Sequence, residues 1–464
     1  MQVDLTHSQT RNEELAKAME RASDVPENMP DEADIFNVLD LQKVRGDKKA
    51  TFRSDLQWQA AWVLRERKHH LILVSPPGSG KTLPVQMTTS RWAGTGKCTI
   101  LVEPYALLYE QMKERMKQAG LKATIVERSN TIPEDANVVI VGINYFRNSG
   151  FTNWMKNLAG RNKLGIVAFD EVHTVAEDDS FRPIYKQAMK SVMELPNVNM
   201  VWMTGTAPVG HMGEIWEKLD LFPTQIEAFR TLRAPWIHRE NMRYQILYSK
   251  KSWTKDRLME LVRTLRMRLG PSECAVMFFN SKSYCQTFAD DLGCEAITGD
   301  TPTDERAEIY ARWKDNQLLC MNKAGYYGAD MPGVALVLHI EAPDALTDYL
   351  QGTGRGGRDG TECLSIVLAP TNPKRQGREQ KPRFSGCEEM TKLYEIDMLC
   401  ILLVQGEFFD GKALTCAELE AIGVHVLWCE RCARKSGDQR RMKGYFYSEW
   451  LFLGRKKMAR TDRK

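Results

Sequence analysis

The chain has 464 residues, enough for two to four domains with real cores. Hydrophobic residues make up 43% and charged residues 27%, which excludes collagen-like, mucin-like and mostly disordered chains. No apolar run approaches the roughly 20 residues that a membrane helix needs, and MLCILLV (398–404) is about as long as they get. The net charge of +4 is unevenly spread: residues 1–40 carry three Lys/Arg against ten Asp/Glu, and residues 431–464 carry twelve against three. A basic end on a near-neutral body is the footprint of a polyanion contact, or a solvated terminus. The start of the chain lacks a basic stretch followed by an apolar one, so no secretory signal is expected. Eleven cysteines without small-scaffold spacing argue for free thiols in a reducing compartment.

In chain order, residues 1–47 read as an acidic, loosely structured leader. The runs LILV (71–74), TILVE (99–103), NVVIVG (137–142), LGIVAFD (164–170) and VNMVWMTG (198–205) read as buried strands. Between them Leu108, Met112, Met116 and Ala119 recur at helical spacing, with Gly120 placed to end the helix. A second series follows in AVMFF (275–279), LLCMN (318–322), VALVLHI (334–340) and CLSIVL (363–368). Strands alternating with helices imply an α/β chain with parallel sheets covered on both faces. The expected layout is a first lobe over 48–228, a second over 229–370, a connector and cysteine-bearing module over 371–440, and a basic tail over 441–464. PTNPKRQGREQKPR (370–383) is the connector.

The strongest motif is SPPGSGKT, Ser75 to Thr82, between an expected strand and an expected helix. A phosphate loop needs small residues so that backbone N–H groups converge on the phosphates, a lysine to reach the β/γ oxygens, and a hydroxyl for Mg²⁺. Ser75, Pro76, Pro77, Gly78, Ser79 and Gly80 form the loop, Lys81 supplies the charge and Thr82 the hydroxyl. The following helix adds its positive N-terminal end, and Pro84 is tolerable in its first turn. FDEVH places Asp170 and Glu171 at the C-terminal edge of a buried strand, with His173 just beyond. An aspartate there can hold Mg²⁺ and the adjacent glutamate can orient an attacking water. Four cysteines near the end, Cys400, Cys416, Cys429 and Cys432, form two groups one short element apart. Tetrahedral Cys₄ zinc is the sharper reading, and free thiols the alternative. The other seven cysteines scatter through expected strands and helices, where core packing is their default.

At these residues the sequence resembles the superfamily 2 helicases, and within them the RecQ-like DNA helicases. DEVH resembles their Asp-Glu-x-His box. FRSDLQ (52–57) resembles the upstream motif whose glutamine reads adenine, with Gln57 the best candidate and a one-residue slip open. SFRPIY (180–185), TGT (204–206), RENMRY (239–244), FNS (279–281), GADMPGV (328–334) and QGTGRGGRDG (351–360) resemble the successive motifs of that family. The resemblance covers about residues 50–432 and implies two tandem RecA-like lobes, ATP with Mg²⁺ held by Thr82 and Asp170, and catalytic roles for Lys81, Asp170, Glu171 and His173. It further implies that Arg355 and Arg358 meet the γ-phosphoryl charge, where a fixed guanidinium is suited. A four-cysteine zinc module follows the second lobe in RecQ-like helicases, and FFDGKALTC (408–416) resembles its fungal variant.

Several positions depart from that pattern. The loop TVAEDDS (174–180) is acidic and lacks the tryptophan that couples DNA contact to hydrolysis in the family. Asn322, Tyr326 and Gly352 stand where threonine, glycine and glutamate are usual. ATP-facing residues are intact while track-facing ones are altered. The leading expectation is an ATP-driven 3′–5′ DNA helicase or translocase on single-stranded and partly duplex DNA, acting in the nucleus in DNA repair and recombination. An RNA or duplex-remodelling ATPase, and a degenerate helicase serving as a zinc-bearing DNA-binding protein, remain open.

Overall fold

Continuous apolar runs become interior strands, and in this computed structural model they build two parallel sheets in two compact units, residues 1–235 and 236–464. The structure describes residues 31–126, 135–177, 182–249, 253–322, 331–370 and 385–446. No helix among them is long and apolar enough to cross a membrane.

The first sheet has the order β3-β4-β2-β5-β6-β1-β7. Its strands are β1 (His70–Val74), β2 (Cys98–Glu103), β3 (Ala123–Val126), β4 (Val138–Gly142), β5 (Leu164–Phe169), β6 (Asn199–Thr204) and β7 (Phe229–Arg233). Period-two alternation sends side chains to opposite faces. Val167 and Phe169 of β5 pack with Phe146, Tyr185, Trp202 and Trp216 on one face. Ile166 and Ala168 pack on the other. That second face is covered by helices α1 (Asp31–Arg45), α2 (Asp55–Glu66), α3 (Leu83–Arg91) and α4 (Tyr109–Gln118), through Leu41, Leu64, Met87, Met112 and Met116. Gly120 follows α4 at φ +73°, a left-handed stop that a side chain would strain. The other face carries α5 (Ser149–Gly160), α6 (Arg182–Met193) and α7 (His211–Lys218).

Two expected boundaries move. Residues 31–45 of the acidic leader are helix α1, with Leu41 and Val44 buried in the core. Arg91 of α3 pairs with Asp40 and donates to Asn37 Oδ1 at 2.8 Å, so one acidic side chain of the helix is used against a basic neighbour. Burying an aliphatic side chain contributes roughly 1.5–3 kcal/mol, which a solvated leader would forgo. Residues 1–30 lie outside the described residues. Strand β7 pairs along β1 from His70↔Phe229 to Val74↔Arg233, so residues 229–235 belong to the first unit.

The second sheet has the order β10-β11-β9-β12-β13-β8. Its strands are β8 (Met242–Leu247), β9 (Cys274–Phe279), β10 (Glu295–Ile297), β11 (Leu318–Asn322), β12 (Val334–His339) and β13 (Cys363–Leu368). Helices α8 (Lys255–Arg266), α9 (Lys282–Leu292), α10 (Thr303–Asn316) and α11 (Leu346–Thr353) flank it. The cysteine-bearing module, α12 (Cys387–Glu395), α13 (Ile401–Asp410), α14 (Cys416–Ala421) and α15 (Glu430–Ser436), shares one core with this lobe. Arg431 is almost wholly buried, and its guanidinium donates to the Leu399 carbonyl at 2.8 Å and to the Tyr248 hydroxyl, fastening the module to the lobe. The first residues of the basic tail also pack here: Phe446 is clipped by the Gln245 side chain, which donates to its carbonyl at 2.8 Å and accepts from its N–H at 3.0 Å. Most of the connector (371–384), the end of the tail (447–464), Asp178 to Phe181 and Tyr326 lie outside the described residues.

Candidate nucleotide site and cysteine centre

Parallel strands deliver their C-terminal ends to one edge of a sheet, where loops can gather around a ligand. In the first unit, Val74 of β1 pairs with Thr204 of β6, and the Ser75 N–H donates to the Thr204 carbonyl at 3.0 Å. SPPGSGKT and TGT therefore leave the sheet side by side. Val102 of β2 pairs with Phe169 of β5, and the Asp170 N–H donates to the Val102 carbonyl at 3.0 Å, so FDEVH leaves at the same edge.

The phosphate loop is held in shape by its own groups. The Ser79 N–H donates to the Pro76 carbonyl at 3.1 Å, and the Ser75 and Ser79 hydroxyls share a 2.6 Å hydrogen bond. Gly78 and Gly80 both have φ of +82°, a conformation that glycine supplies without strain. Thr82 leads directly into α3, with Pro84 in the first turn as expected. Lys81 Nζ donates back to the Ser75 carbonyl at 3.3 Å. A side chain at Gly205 would put its Cβ 3.1 Å from that ammonium and 3.3 Å from the Pro77 ring, so the TGT turn stands against the loop. Gln57, in α2 and almost fully buried, donates to the Ser79 carbonyl at 2.6 Å and accepts from the Arg53 N–H at 2.9 Å. This contact places Gln57 itself against the loop.

The FDEVH turn is constrained from several sides. Asp170 accepts from the Glu171 N–H at 2.9 Å, and Glu171 sits at φ +47°, a strained region for a residue with a side chain. The Glu171 carbonyl accepts from both the N–H (3.0 Å) and the hydroxyl (2.9 Å) of Thr174. Thr174 in turn meets the Tyr185 hydroxyl at 3.1 Å, so Tyr185 braces the box. His173 Nδ1 lies 2.9 Å from the Thr204 hydroxyl and 3.3 Å from a Glu171 oxygen. Burial, aided by Lys81, pulls the imidazole down to about 3, so it is neutral.

The donor set fits Mg²⁺. Thr82 and Asp170 offer oxygen ligands, the type a hard cation takes. Asp170 is half-buried and pushed up to about 6 by desolvation and the neighbouring Glu171, with Lys81 opposing. A cation at this edge would relieve that charge.

One group escaped the sequence reading. Glu103 ends β2 just as Asp170 follows β5, fully buried with no hydrogen-bond partner for either carboxylate oxygen. Desolvation, then Asp170 and Glu171, push it well above the usual carboxylate range. A lone charge closing the apolar run TILVE was the signal.

In the second unit, the RENMRY entry clamps the last motif. Arg239 donates to the Gly356 carbonyl at 2.6 Å, and Asn241 Nδ2 lies 2.7 Å from the carbonyls of Gly357 and Thr361. Gly357 has φ +58°, and a Cβ there would strike the Asn241 amide at 2.6 Å. Arg355 is buried, and Arg358 donates to the Gly354 carbonyl at 2.9 Å. The FNS turn is tied to Glu341, which accepts from the Asn280 and Ser281 N–H groups at 2.8 and 2.9 Å.

Cys400, Cys416, Cys429 and Cys432 bring their sulfurs within 4.8 Å of one another. Cys400 Sγ lies 3.7 Å from that of Cys416 and 3.9 Å from that of Cys429. A tetrahedron with Zn–S bonds of about 2.3 Å has sulfur–sulfur edges of roughly 3.8 Å, so the residues fit zinc. Three of the four are buried. Cys400 and Cys432 are held below the usual thiol range by hydrogen bonds from their neighbours, and Cys416 is pushed far above it.

Comparison with known proteins agrees with these motifs. Residues 54–214 match the DEAD/DEAH box helicase family and residues 254–360 the helicase conserved C-terminal domain. The chain is similar to the ATP-dependent helicase SGS1 of Saccharomyces cerevisiae, 26% identical over 319 residues that make up 64% of this chain and 21% of that protein. It is similar to the ATP-dependent DNA helicase RecQ of Synechocystis sp., 26% identical over 324 residues, 65% of either chain. It thus spans only a fifth of the yeast protein. Among solved structures, the DUF1998 helicase MrfA bound to DNA shares the fold, with a TM-score of 0.59 and 16% identity over 76% of this chain and 53% of that one. Together with the ordered motifs, these matches show that the chain belongs to the RecQ-like branch of the superfamily 2 helicases, a family of ATP-dependent DNA helicases.

Proposed function

We propose that this protein is an ATP-driven 3′–5′ DNA helicase, moving on single-stranded DNA and opening partly duplex DNA. The observation that carries the reading is the shared sheet edge, where SPPGSGKT, FDEVH and TGT meet and Lys81, Asp170, Glu171 and His173 converge. Gln57 recognises the adenine, the loop N–H groups from Gly78 to Lys81 cradle the phosphates, and Lys81 leaves the Ser75 carbonyl for the β/γ oxygens. Thr82 and Asp170 would hold Mg²⁺, which when bound would supply positive charge against the phosphoryl oxygens. Glu171 orients the attacking water and takes its proton, and His173 passes the state of that turn to Thr204. The RecQ-like resemblance gives Arg355 and Arg358 the role of meeting γ-phosphoryl charge. Cys400, Cys416, Cys429 and Cys432 hold a structural zinc, since a four-thiolate shell leaves no open position for chemistry. The polarity, the DNA track, a nuclear location and a role in DNA repair and recombination rest on the RecQ-like resemblance.

The test is ATP hydrolysis with and without single-stranded DNA, together with strand separation on 3′-tailed and 5′-tailed duplexes. Stimulation by DNA with unwinding of the 3′-tailed substrate is expected. Because TVAEDDS lacks the coupling tryptophan, stimulation is expected to be weaker than in relatives that have it. Hydrolysis that responds to RNA and not to DNA would overturn the track assignment.

A further inference from the structure

Cys294 and Cys320 stand apart from the cysteine centre, yet they are not isolated core thiols. Cys294 follows α9 directly: Gly293 turns the chain at φ +64°, and the Cys294 N–H still donates to the Ala289 carbonyl at 3.0 Å. It sits just before β10, outside the ladder. Cys320 lies within β11, where it pairs with Ala296. The two sulfurs are 3.8 Å apart. Cys294 is half-buried, whereas Cys320 is wholly enclosed.

The two thiols are chemically unequal. The contact with Cys320 holds the Cys294 thiol below its usual range; Arg266 assists, while burial, Glu295 and Asp290 oppose. Burial and the same contact push Cys320 well above its usual range. Cys285 of α9 lies close by, fully buried, and burial pushes it up to about 12. A half-exposed thiolate-former beside a protonated, enclosed thiol is the arrangement of an attacking and a resolving cysteine.

We propose that Cys294 and Cys320 form a reversible oxidation site for small hydroperoxides, with Cys294 attacking and Cys320 resolving. The Cys294 thiolate attacks one peroxide oxygen, the O–O bond breaks, and the other oxygen leaves with a proton as an alcohol, or as water from hydrogen peroxide. Cys294 is then a sulfenic acid. The Cys320 sulfur attacks it, the S–O bond breaks, and hydroxide leaves with the Cys320 proton as water. The peroxide is reduced by two electrons and the two thiols are oxidised to one disulfide. Closing the pair from contact distance to a bond of about 2.05 Å needs under about 2 Å of approach. Cys294 can supply it because its backbone lies outside the sheet ladder. The bond would pin the end of α9 to β11, the strand that leads into GADMPGV.

The test treats the full chain, purified under reducing conditions, with graded hydrogen peroxide. Remaining thiols are alkylated, linked peptides are identified by mass spectrometry, and zinc release is followed with a chromophoric chelator. The expected result is loss of two thiols per chain as a Cys294–Cys320 linked peptide, before zinc appears and reversed by dithiothreitol. Cys294→Ser, at a half-exposed position, should remove this early loss. Cys320→Ala should stop the reaction at Cys294 and leave a sulfenic acid that dimedone captures. The proposal is overturned if Cys294 stays alkylatable until zinc is released, if the early disulfide joins other cysteines, or if Cys320→Ala yields no dimedone adduct.

Discussion

His173 Nδ1 and the Thr204 hydroxyl share a 2.9 Å hydrogen bond that ties the FDEVH turn to the TGT turn, at the ends of adjacent strands β5 and β6. The Thr206 N–H donates to the same hydroxyl at 3.3 Å, so one oxygen links the two turns. Both groups are buried, and neither can find water if the other is lost.

Thr204→Val should keep ATP binding and lower turnover about tenfold or more, because it removes the hydrogen bond that links the two turns. The pH dependence of stability follows from the histidines. In the folded state His173, His211 and His339 sit near 3, and His70 and His238 near 4, all below the ordinary value of 6.5. The unfolded chain therefore binds more protons, and stability falls as pH drops from about 6.5 towards 3. Each such histidine adds roughly 1.4 kcal/mol per pH unit in that window. Denaturant unfolding at pH 7, 6 and 5 checks the slope, which His173→Gln should reduce.

Lys81→Ala should weaken ATP binding, whereas Glu171→Gln should preserve binding and stop hydrolysis. Arg358→Ala should cost about 10³-fold in turnover, as the loss of an arginine finger does. Equilibrium binding of a fluorescent ATP analogue, with phosphate release measured in parallel, separates the three. Unchanged phosphate release in Glu171→Gln would remove that residue from the chemistry.

Gly80→Ala should damage the phosphate loop twice over. Its φ of +82° strains any side chain, and the new Cβ would lie 2.6 Å from Gln57 Nε2. A loss of about tenfold or more in nucleotide affinity is expected. The double variant Gln57→Ala/Gly80→Ala should not recover it, since the backbone strain stays and the proposed adenine contact is lost. Full recovery in a titration would show that the steric contact alone mattered.

Glu103→Gln should raise stability at alkaline pH. The folded carboxyl holds its proton well above the unfolded value, so its unfavourable contribution grows as pH rises from about 4. The amide cannot ionise, and thermal unfolding at pH 8.5 should shift upward relative to the parent. Hydrolysis near pH 7 should change by less than about threefold, as burial and the neighbouring carboxylates favour the uncharged form that the amide mimics. A large loss of turnover would instead give this residue a direct part in the reaction.

Metal analysis should find one zinc per chain after purification under reducing conditions. Cys429→Ser should lose the zinc and destabilise the second unit, because its core is continuous with the cysteine module. Chelation should lower the unfolding temperature, since metal affinity adds to the stability of the fold that holds it. Unaltered folding and metal content in Cys429→Ser would refute the site.

The interior strands of both sheets were legible in the sequence because each is an unbroken apolar run, and both faces of a parallel sheet are covered. The edge strands were not. Ala123–Val126 and Glu295–Ile297 are short and half-exposed, and Phe229–Arg233 alternates with arginine, so none carries that signal. The phosphate loop, FDEVH and the four cysteines could be read directly, since glycine at positive φ, a carboxylate after a buried strand and paired thiols leave few other uses. Tertiary structure alone decided the rest. The acidic composition of 31–45 reads as solvated until Arg91 meets Asp40 and Asn37 across the fold. The bonds from Gln57 to Ser79, His173 to Thr204 and Cys294 to Cys320 span 22, 31 and 26 residues. No local pattern encodes them: they arise only when strand order and register bring distant residues to one edge.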